Sequence, residues 1–302
     1  LLWQANDDFD VNLTVGAQRQ DIDAYARTRL ELGGYNIASL TSDLAKNDVD
    51  YANLTVNYDI GWAALTSSTS VLEQSSLVHS GNFPFGNPSS ERSGPLSFNT
   101  QSKMDISAQE FRLSTALDGS LQFVSGIYYE DIQKKNDLLI PWAGTETSPF
   151  PPRPIPGVAF ANFTSVDYQQ LAIFGEVYYQ LADQWELSVG VRHYDYDRED
   201  TSTNFSFDPD RATAFDASKK GQTYKAGLNY TPSEDTLLYA LWSEGFRLGR
   251  GQSTPPSDPC DLNGDGELDD VPGARIKSQL DPDTTESFEL GAKFSLMDSR
   301  LT

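Results

Sequence analysis

Apolar and polar side chains alternate along much of this chain, and the alternating blocks are joined by connections that are either very short or very long. Leu171, Ile173, Val177, Tyr179 and Leu181 share one parity, while Gln170, Glu176, Tyr178 and Gln180 take the other. A period of two is that of a strand with one apolar face, because successive side chains of an extended backbone point to opposite sides. After Ala182-Asp183-Gln184 the pattern resumes with Trp185, Leu187, Val189 and Val191 against Glu186, Ser188, Gly190 and Arg192, which makes a tight hairpin. The same grammar recurs around Asp59-Ile60-Gly61, Leu117-Asp118-Gly119 and Pro232-Ser233-Glu234-Asp235, and more weakly around Asn6-Asp7-Asp8 and Met297-Asp298-Ser299. The alternation predicts strands over 1–5, 9–19, 49–58, 62–74, 107–116, 120–132, 167–181, 185–198, 219–231, 236–248 and 284–297.

The long connections, 20–48, 75–106, 133–166, 199–218 and 249–283, fall at every second position. In an antiparallel sheet that puts all short turns on one rim and all long loops on the other, as in a transmembrane β-barrel with short periplasmic turns and long extracellular loops. Several blocks exceed the ~9–11 residues that cross a bilayer at a tilt. Tyr58, Trp62, Trp185 and Tyr230 flank the short turns, whereas Tyr128, Tyr129, Tyr194, Tyr196, Trp242 and Phe246 lie toward the long loops, which reads as two interfacial girdles. Cross-strand aromatic packing in a soluble sandwich is the competing account; it requires Leu171, Ile173, Leu187 and Val189 to pack against a second sheet. The fold expected is all-β: about 11 strands of an antiparallel barrel whose complete form approaches the 22-stranded plugged class. Leu1 begins mid-pattern and Leu301-Thr302 enters a further strand, so residues 1–302 read as an internal barrel segment, with the plug domain and both termini outside it.

Mean hydropathy of -0.47 with 38% hydrophobic residues does not oppose a membrane, since a barrel hides its apolar content in every second position. No apolar run of ~18 residues exists, so membrane contact must come from strands. A formal charge of -22 excludes nucleic acid as a partner and suits cationic or metal-bearing ones. The single Cys260 cannot form an internal disulfide, and His79 and His193 are too few and too far apart for a metal site. No nucleophile, phosphate loop or paired-carboxylate motif stands out, which argues against an enzyme.

Two stretches carry a family resemblance. Ser243-Glu244-Gly245-Phe246-Arg247-Leu248-Gly249 resembles the S-x-GFR-x-G stretch of TonB-dependent receptors. Asp281-Pro282-Asp283, Glu286, Phe288-Glu289-Leu290-Gly291-Ala292-Lys293 and Asp298-Ser299-Arg300-Leu301 resemble that family's P-E-x-x-x-x-YELG-x-K and DGRL run, with Phe288 in place of the commoner tyrosine. Gly245, Phe246, Arg247, Gly249, Glu289, Gly291 and Lys293 are therefore the motif residues. Weaker echoes are Glu110-Phe111-Arg112-Leu113-Ser114 and Ala172-Ile173-Phe174-Gly175-Glu176. The resemblance implies an outer-membrane receptor of a Gram-negative bacterium that imports a scarce nutrient such as a ferric siderophore. It further implies coupling to the TonB complex through an N-terminal segment and a lumen that faces the plug. A passive porin or adhesin barrel and a secreted calcium- or carbohydrate-binding protein are the alternative classes.

By alternation alone, Glu289 and Lys293 share the lumen parity with Gly291. Asp261, Asn263, Asp265, Glu267 and Asp269 reproduce the spacing of a calcium loop with its turn glycine at Gly266, Asp-Leu-Asn-Gly-Asp-Gly-Glu-Leu-Asp, but Pro272 stands where the bidentate carboxylate belongs. No cofactor is required; a structural calcium is the one ion suggested. Trp142, Phe150, Arg153 and Phe160, in a proline-rich connection, together with Phe246 and Arg247 at the long-loop rim, form the candidate ligand-binding set.

Overall fold

A computed structural model describes residues 1–23, 43–85, 94–141, 155, 158–205, 211–251, 267–268, 273 and 279–295. Eleven strands form one antiparallel sheet in chain order: β1 (Leu2–Asn6), β2 (Phe9–Ile22), β3 (Leu44–Asp59), β4 (Ala63–Phe85), β5 (Gly94–Thr115), β6 (Leu121–Pro141), β7 (Val158–Ala182), β8 (Trp185–Phe205), β9 (Arg211–Ser233), β10 (Thr236–Arg247) and β13 (Asp283–Phe294). Between β10 and β13 a two-stranded stub pairs β11 (Arg250–Gly251) with β12 (Gln279–Leu280). Short turns close one rim; at Gly61 the backbone takes φ 91°, and its N–H donates to Asp59 Oδ1 at 2.7 Å.

The short-turn ends of the predicted strands match closely, but the far ends run well past them. β4 continues to Phe85, β6 to Pro141 and β8 to Phe205, while β7 starts at Val158 and β9 at Arg211. Much of what alternation assigns to loops at 75–106, 133–166 and 199–218 is therefore strand. Alternation registers a half-buried sheet, and above the membrane both faces are wet, so the periodic signal fades while the ladder persists. Polar cross-strand pairs replace it: Ser102 donates to Asn136 at 2.5 Å, Gln74 to Asn47 at 2.8 Å and Asn162 to Ser202 at 3.0 Å.

Which face is concave follows from contacts that skip a strand. Phe246 of β10 reaches Tyr194 of β8, Lys225 of β9 reaches Glu176 of β7, and Arg192 of β8 lies over Tyr128 of β6. Such contacts form only inside a curled sheet. On the opposite face Leu171, Ile173 and Val189 are 47%, 54% and 52% exposed and Leu187 is half-buried, so no second sheet covers them and the sandwich account fails.

Tyr58, Leu65, Leu113, Ser125, Gly175, Val191 and Tyr224 are opposed in turn across β3 to β9 on that outer face. Tyr58 stands one residue from the end of β3 at Asp59, whereas Tyr224 stands nine from the end of β9 at Ser233 (233 − 224 = 9). Across the sheet the row climbs away from the short-turn rim, which is the stagger of a tilted barrel wall. From Leu171 to Leu181 the outward residues span ~33 Å of strand, or roughly 23–27 Å of height at a 35–45° tilt, which matches a ~25 Å apolar band. Directly above it the outer face turns ionic, with Arg19 on Asp50 at 2.7 Å, Lys46 on Asp21 at 3.0 Å and Lys220 on Asp195 at 2.7 Å. At the lower aromatic rim Trp185 stacks on Tyr230 at 4.2 Å, as expected, and Trp3 and Phe9, which alternation does not assign to the rim, continue it edge-to-face from Tyr58. The upper girdle is divided. Tyr129 and Trp242 keep the outer parity, whereas Tyr128, Tyr194 and Tyr196 pack on the inner face because the even parity of β6 and β8 points inward, and Phe246 of β10 joins them there.

Val177→Arg, in the middle of the outer band, is expected to destabilise the barrel by ~2–4 kcal/mol, whereas Asp167→Arg, above the band, changes stability by less than ~0.5 kcal/mol. Urea unfolding of the full-length protein in phospholipid vesicles reads both values.

Candidate functional site

Among the described residues, the inner face carries a buried cluster of aromatic groups. Tyr168, Ala172, Tyr194 and Tyr196 form a buried cluster, with Tyr128, Ile132, Ala217, Phe246 and Leu248 packed around it. Glycine makes this possible: Tyr194 is opposed to Gly221 on β9, and a Cβ at Gly221 would collide with the hydroxyl oxygen and Cζ of that tyrosine. Lying across β9, Tyr194 stacks on Phe246 with centroids 3.8 Å apart and planes at 14°. Phe246 is also near parallel to Tyr196 at 6.1 Å. The same device recurs on this face, where Tyr51 covers Gly16, Phe174 covers Gly126 and Tyr239 covers Gly291.

By alternation Phe246 belongs with Trp242 and Leu238 on the outer face. It reaches the inner one because the β9–β10 ladder ends at Ser243 opposite Lys225, while β10 and β13 stay paired up to Arg247 opposite Asp283. Freed from β9, the pair is a two-stranded ribbon, and such ribbons coil more strongly than sheets. Where the ladder stops, the Tyr224 N–H donates to Glu244 Oε2 at 3.1 Å in place of a β10 carbonyl.

Stacked aromatic pairs contribute ~0.5–1.5 kcal/mol each beyond their buried area. Against this, Tyr196 is fully buried and its hydroxyl has no hydrogen-bond partner among the described residues. An orphaned buried hydroxyl costs ~1–3 kcal/mol, so the two terms are of similar size. Burial also holds the Tyr168 phenol above its ordinary pKa; it donates to Gln170 at 3.0 Å.

Beyond Phe246 the motif turns the chain inward. Arg247 pairs through Nε with Asp283 Oδ1 at 2.7 Å and holds that carboxyl below the usual range. Leu248 joins the tyrosine cluster, and a Cβ at Gly249 would stand 3.0 Å from the Leu280 carbonyl oxygen. The Gly251 N–H then donates to Asp200 Oδ2 at 3.2 Å, and Asp200 is held by Arg198 at 2.8 Å. Below this cluster lies a recess of about 320 Å³ lined by charged Glu110, Glu176, Arg192, Lys225 and Glu244. Lys225 Nζ sits 2.9 Å from Glu176 Oε1 across Gly190, which leaves room between them. A larger groove, about 430 Å³ and walled by Leu65, Phe111, Ile127 and Ile173, belongs to the outer apolar band.

Among the sequence-derived candidates, Phe246 and Arg247 meet the inner wall and Asp283, while Phe160 begins the inner parity of β7 opposite Ile140. Trp142, Phe150 and Arg153 lie outside the described residues, as do Asp261, Asn263, Asp265 and Asp269; Glu267 is described and half-buried. Glu289, Gly291 and Lys293 converge as their shared parity requires: Tyr239 lies over Gly291, donates to Glu289 at 2.5 Å and carries Lys293 Nζ 5.8 Å above its ring. Among the described residues no group of His, Cys, Asp and Glu is disposed to hold a metal. Sequence reading missed Tyr168, Tyr194, Tyr196 and Asp200 as site residues. Their shared signal is an inward parity above the bilayer, usable only once the register is known.

Residues 2–302 match the family model described as TonB dependent receptor-like, beta-barrel. A curated relative, the probable TonB-dependent receptor BfrD of Bordetella pertussis, is 27% identical over 159 residues, covering 51% of this chain and 19% of its own length. Among solved structures, the ferric yersiniabactin uptake receptor FyuA of Yersinia pestis has a TM-score of 0.70 at 14% identity, over 95% of this chain and 40% of that one. The siderophore receptor PiuA of Acinetobacter baumannii has a TM-score of 0.63 at 14% identity, over 99% of this chain and 47% of that one. At these identities the structural likeness speaks for the fold, and the chain spans less than half the length of each relative.

Gly221→Ala is expected to destabilise the barrel by ~1–3 kcal/mol, because the new methyl displaces Tyr194. Adding Tyr194→Ala removes most of that increment, so a double-mutant cycle in urea shows strong coupling between the two positions.

Proposed function

The chain belongs to the TonB-dependent receptor β-barrel family, and from that premise we propose that it forms about half of the barrel wall of an outer-membrane active transporter in a Gram-negative bacterium. The observation that carries this reading is the family match over residues 2–302. The cargo class proposed is a scarce metal chelate, with a ferric siderophore first; the names of the structural neighbours support it, as does the acidic balance of 44 Asp and Glu against 22 Lys and Arg. Transport rather than catalysis is the activity. Energy comes from TonB, engaged through chain outside residues 1–302, where the plug is also assigned. The inner aromatic wall and the charged recess beneath it face the cargo path and the plug.

Deleting the gene is expected to impair growth on the cognate iron chelate under iron limitation. Plasmid-borne full-length protein restores growth in a TonB-positive strain and fails to do so in a TonB-negative one. Unimpaired uptake of a panel of radiolabelled ferric siderophores in the deletion strain would overturn the iron reading, and rescue without TonB would point to a passive pore.

The loop Asp261 to Asp269 is proposed as a structural calcium site of the long-loop rim. Calorimetric titration of the full-length protein is expected to show binding in the ~10⁻⁴–10⁻³ M range typical of extracellular modules. No binding heat at millimolar calcium would remove the site.

A further inference from the structure

We infer that Phe246 is a releasable latch that sets whether the segment Arg247 to Gly251 leans over the lumen or lies along the barrel wall. Two arrangements of the same residues are available. In the latched one, seen here, β10 leaves β9 after Ser243, Phe246 stacks on Tyr194 across Gly221, Leu248 joins the cluster and the Gly251 N–H is caught by Asp200. In the other, the β9–β10 register simply continues. Extending Ser243 opposite Lys225 by three residues puts Glu244 opposite Tyr224, Gly245 opposite Thr223 and Phe246 opposite Gln222, with Phe246 facing outward as its parity dictates. Tyr224 N–H, now satisfied by the Glu244 carboxylate, would then gain a backbone partner.

Two features keep the choice balanced. Closing the latch gains the ring stacking but seals the Tyr196 hydroxyl with no partner among the described residues, and opening it returns that hydroxyl to water. Gly245, between Glu244 and Phe246, frees the backbone at the point where the two paths diverge. The bistable element is therefore local, and the wall beneath it, β6 to β9, stays laddered in both states. An apolar or aromatic group entering the lumen at Tyr194 and Tyr196 competes with Phe246 for the same ring faces. On the receptor reading, on which this last step alone rests, cargo would thus swing the base of the β10–β13 excursion.

Hydrogen exchange of the full-length protein in detergent, read by mass spectrometry, tests the latch without any ligand, so its outcome is separate from that of the growth assays. Residues 247–251 report the latch and 171–181 serve as the internal reference. Phe246→Ala is expected to speed exchange over 247–251 by about tenfold or more, and Phe246→Tyr to stay within about threefold of the parent. Tyr196→Phe is expected to slow it by about fivefold or more, because the orphaned hydroxyl no longer opposes closure. Reference exchange is unchanged throughout. Unaltered or faster exchange in Tyr196→Phe would overturn the proposal, as would unaltered exchange in Phe246→Ala; should Phe246→Ala fail to fold, the Tyr196→Phe result decides alone.

Discussion

The rest of this structure depends on one constraint: within hydrocarbon every backbone N–H and C=O must be paired inside the protein, since no water is available to replace a lost partner. For β3 to β10, each hydrogen-bonded to a neighbour on both sides, the ladder meets it over the height of the apolar band. Side chains in that band then need only be apolar on one face, which is why a chain of low mean hydropathy can line a bilayer. It also explains where irregularity is tolerated. The β9–β10 ladder breaks at Ser243, level with the upper edge of the outer band, where water and side chains can satisfy the freed groups, as Glu244 does for Tyr224.

A continuous ladder imposes a second demand, because a sheet that curls must crowd its inner face. Glycines opposite aromatic rings relieve the crowding at Gly16, Gly126, Gly221 and Gly291, where the ring occupies the space a side chain would need. The same relief lets groups two strands apart meet. Gly190 lies between Glu176 and Lys225, and Gly221 lies beneath the contact of Tyr194 with Phe246. The inner wall is thus a set of side chains that interact over a strand, and its packing records the curvature.

How far the sequence could be read follows from the same physics. The outer band was legible almost residue by residue, from Leu171, Ile173, Val177, Tyr179 and Leu181, because only there does one face meet hydrocarbon and the other water. The short turns were legible from Asp59-Ile60-Gly61 and Ala182-Asp183-Gln184. The upper halves of β4 to β9 were not, because Ser, Thr and Asn on both faces carry no period although they pair as well as any strand. The lumen placement of Glu289 and Lys293 came from parity alone. The tyrosine cluster did not, since grouping Tyr128, Tyr194 and Tyr196 by height as an interfacial girdle ignored that their parity points inward.

Phe246 marks the limit of parity as a guide. Alternation assigns a side chain to a face only while its strand is held on both sides; once one neighbour is lost, the twist of a two-stranded ribbon can carry the residue round. The stretch from Gly245 to Gly249, which signals family resemblance in the sequence, is also where the wall stops being a sheet and the chain is redirected inward by stacking, an ion pair and a carboxylate catch. Each part of the motif has a place in that turn: Gly245 at the divergence, Phe246 in the tyrosines, Arg247 on Asp283, and Gly249 against the Leu280 carbonyl. A motif need not touch a ligand to be demanding about its residues, because redirecting a strand out of a membrane wall leaves as few solutions as binding does.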